Sequence, residues 1–294
     1  MKKYLFSIGL TLLAASCSKD QEFSENDNEQ LVPVTVHVND FSISMEEFAS
    51  ARAQETPESY TGIKAITLAF YTGTGTEQYK TTQLRNNAST YTTFGDFSLE
   101  LPMGSYTMVV LGYTLYDDDA LTLTSPTQAA FTTGDVRETF AGVEEVNITS
   151  TSAVELSATL DRILTKLMVL STDAKTSNAS KVRMTFSAGG KSFSPTTGLA
   201  TVNTGSTSTV NIGTAVGATS SSVGYVFLAT DEQTMNVTID VLDAQGTSIS
   251  HKVVNNVPFK RNRTTKLSGT LYTTSASTNF LLNTDWLSDY NQNF

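Results

Sequence analysis

The sequence contains very few residues of the kinds that build catalytic and metal sites. Its 294 residues include one cysteine and two histidines. His37 and His251 have neither a cysteine nor a second histidine at zinc-ligand spacing, and no G-x-S-x-G segment marks a nucleophile elbow. The sequence therefore predicts a protein that is not an enzyme, with no metal and no cofactor. A hydrolase built on carboxylates far apart in sequence is the enzymatic alternative left open.

Charged residues are also scarce, and their balance is acidic. They make up 16% of the chain, against about 25% in a typical globular domain. The formal net charge of -10 argues against nucleic acid and anionic lipid surfaces as partners, because both attract clustered Lys and Arg. Ser and Thr fill the gap, and Thr suits half-exposed strands. This composition predicts an extracellular all-β protein.

The sequence also has no long apolar run, and its most apolar segment, near the start of the chain, is short. Residues 4–13 are mostly apolar but fall far short of the roughly 20 residues that span a bilayer. A basic start and small residues before Cys17 predict a signal peptide over residues 1–16. The ending Ala-Ala-Ser-Cys resembles the lipobox of bacterial lipoproteins, which implies that diacylglycerol is joined to Cys17. Ordinary secretory cleavage beside an incidental cysteine is the alternative.

Residues 17–30 follow as an acidic segment with a single aromatic residue. Such a composition buries too little apolar area to fold, so we interpret it as a flexible tether. An acidic stretch directly after the lipid cysteine also resembles surface-export signals of lipoproteins in some Gram-negative anaerobes. A plain spacer is the alternative. The predicted location is the outer membrane, facing outward.

Strand signals fill the rest of the chain, with turn residues between them. We predict a first β-sandwich domain over residues 31–150, opening with a strand at Leu31 to Val38, and a second over residues 151–294. The segment FSLELPMGSYTMVVLGY predicts a strand, a turn and a second strand buried between layers. LDRILTKLMVL is ambiguous between helix and strand and is predicted as a strand, whereas DVRETFAGVEEV allows a short helix.

Two local features have competing interpretations. Asp117, Asp118 and Asp119 cluster as Ca²⁺ ligands do, but without EF-hand spacing, so an exposed acidic loop is favoured and cation binding stays open. The only tryptophan is Trp286, and most tyrosines fall in predicted strands where core packing is the default. Support for a glycan-binding surface from aromatic residues is therefore weak.

Several of these segments together resemble the fimbrillin superfamily of type V pili, closest to its minor and anchor subunits. The resemblance is carried by the lipobox and acidic tether, LPMGSYTMVVLGY, FAGVEEV before LDRILTKLMV, and RNRTTKLSGTLY before NFLLNTDW. It implies two tandem transthyretin-like β-sandwich domains in an outer-membrane lipoprotein with a structural or adhesive role. The implied partners are other pilus subunits, the membrane through its lipid, and surface ligands.

The resemblance also implies roles for individual residues. An arginine-specific protease trims stalk subunits, and a cut between Arg52 and Ala53 would remove the first strand and open a groove for a neighbour's strand. An uncut arginine in an exposed loop is the alternative, and the one expected for an anchor. The tail with Phe280, Leu282 and Trp286 is the candidate donated strand, unless it packs on its own domain. The rival function is a surface glycan-binding lipoprotein of a nutrient-uptake system.

Overall fold

A computed structural model describes residues 30–44, 52–116, 119–213, 215–273 and 281–283. Within these ranges the regular structure is β-strand apart from one short 3-10 helix at Ala88–Thr90. No helix in the described ranges is long and apolar enough to cross a membrane. The all-β prediction is confirmed.

The first half of the chain contributes ten strands, and eight of them form a sandwich from distant parts of the sequence. Its strands are β1 (Leu31–Ser44), β2 (Arg52–Glu55), β3 (Ala65–Thr72), β4 (Glu77–Leu84), β5 (Asp96–Pro102), β6 (Gly104–Tyr113), β7 (Ala120–Ser125), β8 (Gln128–Thr133), β9 (Thr139–Ile148) and β10 (Val154–Arg162). β1 pairs with β2, β5 and β10, and this group packs against the run β9-β6-β3-β4. A short pairing of β10 with β9 joins the two layers.

The second half of the chain contributes ten strands, and eight of them form another sandwich from two four-stranded sheets. Its strands are β11 (Thr165–Ser171), β12 (Lys181–Phe186), β13 (Ser192–Ser194), β14 (Leu199–Ala200), β15 (Ser206–Asn211), β16 (Ser221–Val226), β17 (Glu232–Leu242), β18 (Ser248–Lys260), β19 (Thr264–Gly269) and β20 (Leu281–Asn283). The sheet β16-β11-β19-β20 packs against β15-β12-β17-β18 around a shared apolar core. β17 and β18 are the hairpin that their alternating apolar residues predict.

A third apolar cluster joins the two halves. The hairpin β7-β8 of the first half pairs with the hairpin β13-β14 of the second through β8 and β13. Phe227 stacks on Phe193 at 4.2 Å between ring centroids and lies 6.3 Å from Phe131. β6 is buried on both faces, as predicted, because one face meets this cluster and the other the first core.

Two sequence-based expectations differ from the structure. The segment DVRETFAGVEEV holds no helix, because its residues from Thr139 onward pair with β6 as part of β9. The segment LDRILTKLMVL is not one strand: β10 ends at Arg162, Ile163 and Leu164 are buried between the halves, and β11 starts a new sheet. β10 pairs with β1 and so belongs to the sheet of the first half.

Candidate strand-exchange site at the first strand

β1 occupies a slot between two other strands of its sheet. On one side it pairs in parallel with β10, from Val34 opposite Val154 to Ser42 opposite Asp161. On the other side it pairs antiparallel with β5 along its first half and with β2 along its last four residues. Withdrawing β1 would leave β5 and β10 with unpaired backbone groups that face each other across the width of one strand.

The inward side chains of β1 fill the first core. Val32, Val34 and Val36 are at most 1% exposed, and they alternate with outward residues as a half-buried strand requires. A β-bulge between Val38 and Asp40 adds one residue, so that Phe41 again points inward. Each such side chain contributes about 1.5–3 kcal/mol on burial, so β1 carries much of the stability of this sandwich.

Phe41 lies over a space that a glycine leaves free. A Cβ on Gly112 of β6 would lie 2.6 Å from a ring carbon of Phe41, well inside van der Waals contact. The ring also contacts Phe140 and Tyr60, with centroids 5.1 and 6.0 Å away. The sequence of β6 therefore includes a glycine that makes room for β1.

We expect Gly112→Ala to destabilise the protein by about 1–3 kcal/mol, because the added methyl group overpacks the core against Phe41. Chemical denaturation of the purified chain measures the change. Gly73→Ala is the matched control, since its Cβ would meet nothing within 4 Å and its φ is not positive. Equal stability of the two variants would show that Phe41 is not held against Gly112.

Polar groups close the sheet beside Phe41. Tyr60 donates its hydroxyl proton to Glu138 at 2.6 Å, and Arg162 pairs with the other oxygen of the same carboxylate at 2.7 Å. Burial, together with the Glu138 charge, raises the pKa of Tyr60 above its ordinary value, so the phenol stays a neutral donor. Arg162 also lies over the ring of Phe140, at 5.1 Å from its centroid. This end of the slot is thus fixed by an ionic contact between Glu138, the residue just before β9, and Arg162 at the end of β10.

Arg52 and Ala53 are placed on a strand rather than in the predicted loop. They belong to β2, where Arg52 lies opposite Ser44 and Ala53 opposite Ile43 of β1. Extended residues that follow a reversal of the chain pair readily with the strand before it, and this pairing overrides the loop-like composition. This four-residue strand would have to separate from β1 before a protease could bind and cut the peptide bond between Arg52 and Ala53.

The tail forms a strand on the sheet of its own half. Leu282 lies opposite Leu267 where β20 pairs antiparallel with β19. Phe280, Trp286 and the lipidation residue Cys17 lie outside the described residues. The described part of the tail thus adds a fourth strand to the sheet β16-β11-β19 of the second half.

An acidic side chain fixes the point from which the tail leaves. Asp173 accepts hydrogen bonds from the backbone amides of Leu271, Tyr272 and Thr273, at 2.6, 2.9 and 2.8 Å. The buried Lys252 donates to the Thr273 carbonyl at 3.1 Å. No sequence motif marks Asp173 for this role, because its partners lie about a hundred residues away.

The other predicted site residues have structural partners. Asp119 is not part of an exposed acidic loop: its side chain is 1% exposed and pairs with Arg137 at 2.6 Å, while Asp117 and Asp118 lie outside the described residues. His37 and His251 lie next to Asp96 and Asp240, at 2.9 and 2.7 Å, in two separate sheets.

Comparisons with known proteins point to a shared fold. A family model described as a family of unknown function, DUF6562, matches residues 28–293. No curated protein sequence matches the chain. A proposed polysaccharide-binding protein (DUF1812) from Bacteroides thetaiotaomicron is 11% identical with a TM-score of 0.53, over 86% of this chain and 96% of that one. A proposed adhesin from Bacteroides ovatus is 14% identical with a TM-score of 0.50, over 76% of each.

The fimbrial anchor protein Mfa2 from Porphyromonas gingivalis is 11% identical with a TM-score of 0.48, over 81% of this chain and 90% of that one. The fold is thus shared with the proposed polysaccharide-binding protein and the proposed adhesin, whose TM-scores are 0.53 and 0.50. The all-β sandwich fold that the resemblance to the fimbrillin superfamily implies is confirmed.

Proposed function

Because the chain belongs to the DUF6562 family and shares its fold with a proposed adhesin, we propose that it is a fimbrial subunit of the cell surface with a structural and adhesive role. It is anchored in the outer membrane by lipid on Cys17 and carries out no catalysis. The names of proteins with this fold, an adhesin and a polysaccharide-binding protein, support surface contact rather than turnover.

The observation that carries the proposal is the slot of β1. A strand hydrogen-bonded on both edges and bearing inward apolar side chains is the element that strand addition replaces. Its loss leaves two backbone edges and an apolar groove, which a strand of similar pattern fills. We propose that subunits of the filament are joined in this way.

The donated strand that we propose is the C-terminal tail. Phe280, Leu282 and Trp286 are separated by even numbers of residues, so an extended strand presents all three on one face. That spacing suits a groove shaped by the alternating valines of β1. The Asp173 contacts hold residues 271–273, so the tail can leave β19 without disturbing the second core.

The test is to shear native cells, isolate filaments and read the N-terminus of this chain by mass spectrometry. We expect a lipidated Cys17 in membrane material that remains attached to filaments, with the bond after Arg52 intact. That bond is held within β2, in keeping with an uncut anchor.

Two other outcomes would change the proposal in different ways. An N-terminus at Ala53 inside the filaments would replace the anchor by a processed, polymerising subunit. Absence of the chain from filament material would overturn the fimbrial function and favour the surface glycan-binding lipoprotein.

A further inference from the structure

A cleft of about 310 Å³ opens in the first sandwich between β4 and β5. Within the described residues β4 pairs only with β3 and β5 only with β1, so each wall of the cleft is an unpaired strand edge. This volume lies at the lower end of the range of small-molecule sites. The cleft is separate from the slot of β1, although both share β5.

One end of the cleft is closed by the side chain of Gln83. Its amide nitrogen donates to the Asp96 carbonyl at 2.6 Å, and its amide oxygen accepts from the Gly95 amide at 2.8 Å. Both bonds tie β4 to the start of β5, while the remaining lengths of the two strands stay apart. The cleft is therefore held open by the fold before any ligand enters, which lowers the cost of binding.

The segment between β4 and β5 is fixed in the same way. Arg85 donates to the carbonyls of Ile63 and Tyr60, at 2.6 and 3.2 Å. The Phe94 amide donates to Glu58 at 2.9 Å. This segment supplies Tyr91 to the cleft, so the position of that ring is set by the framework behind it.

Aromatic residues provide the apolar surface of the cleft. Tyr79 of β4 is half-buried and packs against the first core, and Phe97 of β5 is buried. The Tyr91 hydroxyl lies 3.0 Å from the Arg85 carbonyl, which orients the ring. A sugar ring carries its C–H groups on its faces, and these pack on aromatic rings as other apolar groups do.

Free hydrogen-bonding groups stand beside these rings. The side-chain hydroxyls of Tyr79, Thr81 and Ser98 have no hydrogen-bond partner in the part of the chain that the structure describes. Asp96 uses one carboxylate oxygen for His37, at 2.9 Å, and its second oxygen has no partner among the described residues. Hydroxyls both donate and accept, so this set matches a ligand rich in hydroxyl groups.

The charge of the lining narrows the class of ligand. Among the described residues, no Lys or Arg side chain lines this cleft, so a phosphate or carboxylate would find no cationic partner in that lining. Asp96 is the only acidic side chain of the described lining, so it offers a polycation a single carboxylate. We propose that the cleft between β4 and β5 binds a neutral saccharide, one or two pyranose rings of a surface or soluble glycan. This inference does not depend on whether the chain enters a filament.

The test is an NMR titration of the purified full-length chain with neutral di- and trisaccharides of glucose, mannose, galactose and N-acetylglucosamine. We expect at least one probe to produce saturable amide shifts in β4, in β5 and around Tyr91. Tyr79→Ala is expected to weaken that binding at least tenfold. Thr81→Val keeps the shape of the strand and removes one hydroxyl, and it is expected to weaken binding several-fold.

Tyr116→Ala is the matched control, because Tyr116 is an exposed tyrosine outside this cleft, and we expect unchanged affinity. The proposal is overturned if no probe gives saturable shifts at concentrations up to about 10 mM, tenfold above a dissociation constant of about 1 mM. Shifts confined to other surfaces would also overturn it, as would unchanged binding in both cleft variants. Equal or tighter binding of the matching uronic acid would overturn the preference for a neutral ligand.

Discussion

A full-length chain carrying Val36→Asp is expected to lose its first sandwich and to regain it when a peptide spanning Leu31–Ser44 is added. Val36 is fully buried in β1. Burying an unpaired carboxylate in an apolar core costs free energy, whereas burying the valine side chain stabilises the fold. We expect a loss of more than about 4 kcal/mol, which approaches the whole stability of a typical domain. The peptide supplies the missing strand in trans.

Denaturation curves measure the loss of stability, and capture of a labelled peptide measures the recovery of the first sandwich. Thr35→Asp is the matched control, because its side chain is only half-buried and lies on the other face of the same strand. That variant should stay within about 1 kcal/mol of the native chain. A peptide that itself carries Val36→Asp should not be captured. If the first variant fails to take up the native peptide, the slot of β1 is not exchangeable and the strand-addition proposal fails.

The native chain should capture little peptide, and the reason bears on processing. Its own β1 is covalently attached, so its effective concentration at the slot exceeds any peptide concentration reached in solution. Exchange therefore requires that β1 be cut from the chain or prevented from fitting. A chain that keeps the bond after Arg52 holds its slot closed to other subunits and offers only its tail. That is the behaviour we propose for an anchor at one end of a filament.

Local patterns in the sequence predicted the elements whose partners are close by. The hairpin of β17 and β18 follows from alternating apolar residues on both sides of the turn before Thr247, where Gly246 adopts a φ of 87°. The double burial of β6 follows from its nearly continuous apolar residues. In such elements the spacing of apolar residues and the turn chemistry are visible within one short window.

The rest depends on contacts between residues far apart in sequence. Val36 lies opposite Leu156 in the parallel pairing of β1 with β10, and nothing near either residue indicates the other. In the sequence Asp119 is one of three clustered carboxylates, yet in the structure it is buried and paired with Arg137. The cleft between β4 and β5 has no motif either, because it arises where two sheet edges fail to meet.

Phe227→Ala is expected to cost about 3–5 kcal/mol and to loosen both halves of the protein at once. The ring is fully buried in the cluster between the halves, stacked on Phe193 and close to Phe131. Alanine leaves a cavity that neither hairpin can close without breaking the pairing of β8 with β13. Denaturation gives the change in stability, and hydrogen exchange read by mass spectrometry shows where it acts.

Phe186→Ala separates this effect from a simple loss of core volume. Phe186 is equally buried, but it lies inside the second sandwich, where it contacts Phe259 at 5.9 Å between centroids. Its replacement should raise hydrogen exchange in β12 and β17 alone. Phe227→Ala should instead raise hydrogen exchange in both halves, including β8 and β3 of the first half. If Phe227→Ala raised exchange only in the second half, the shared cluster would not couple the two sandwiches. Coupling matters for the proposed filament, because a pull on the C-terminal tail can reach the slot of β1 through that cluster.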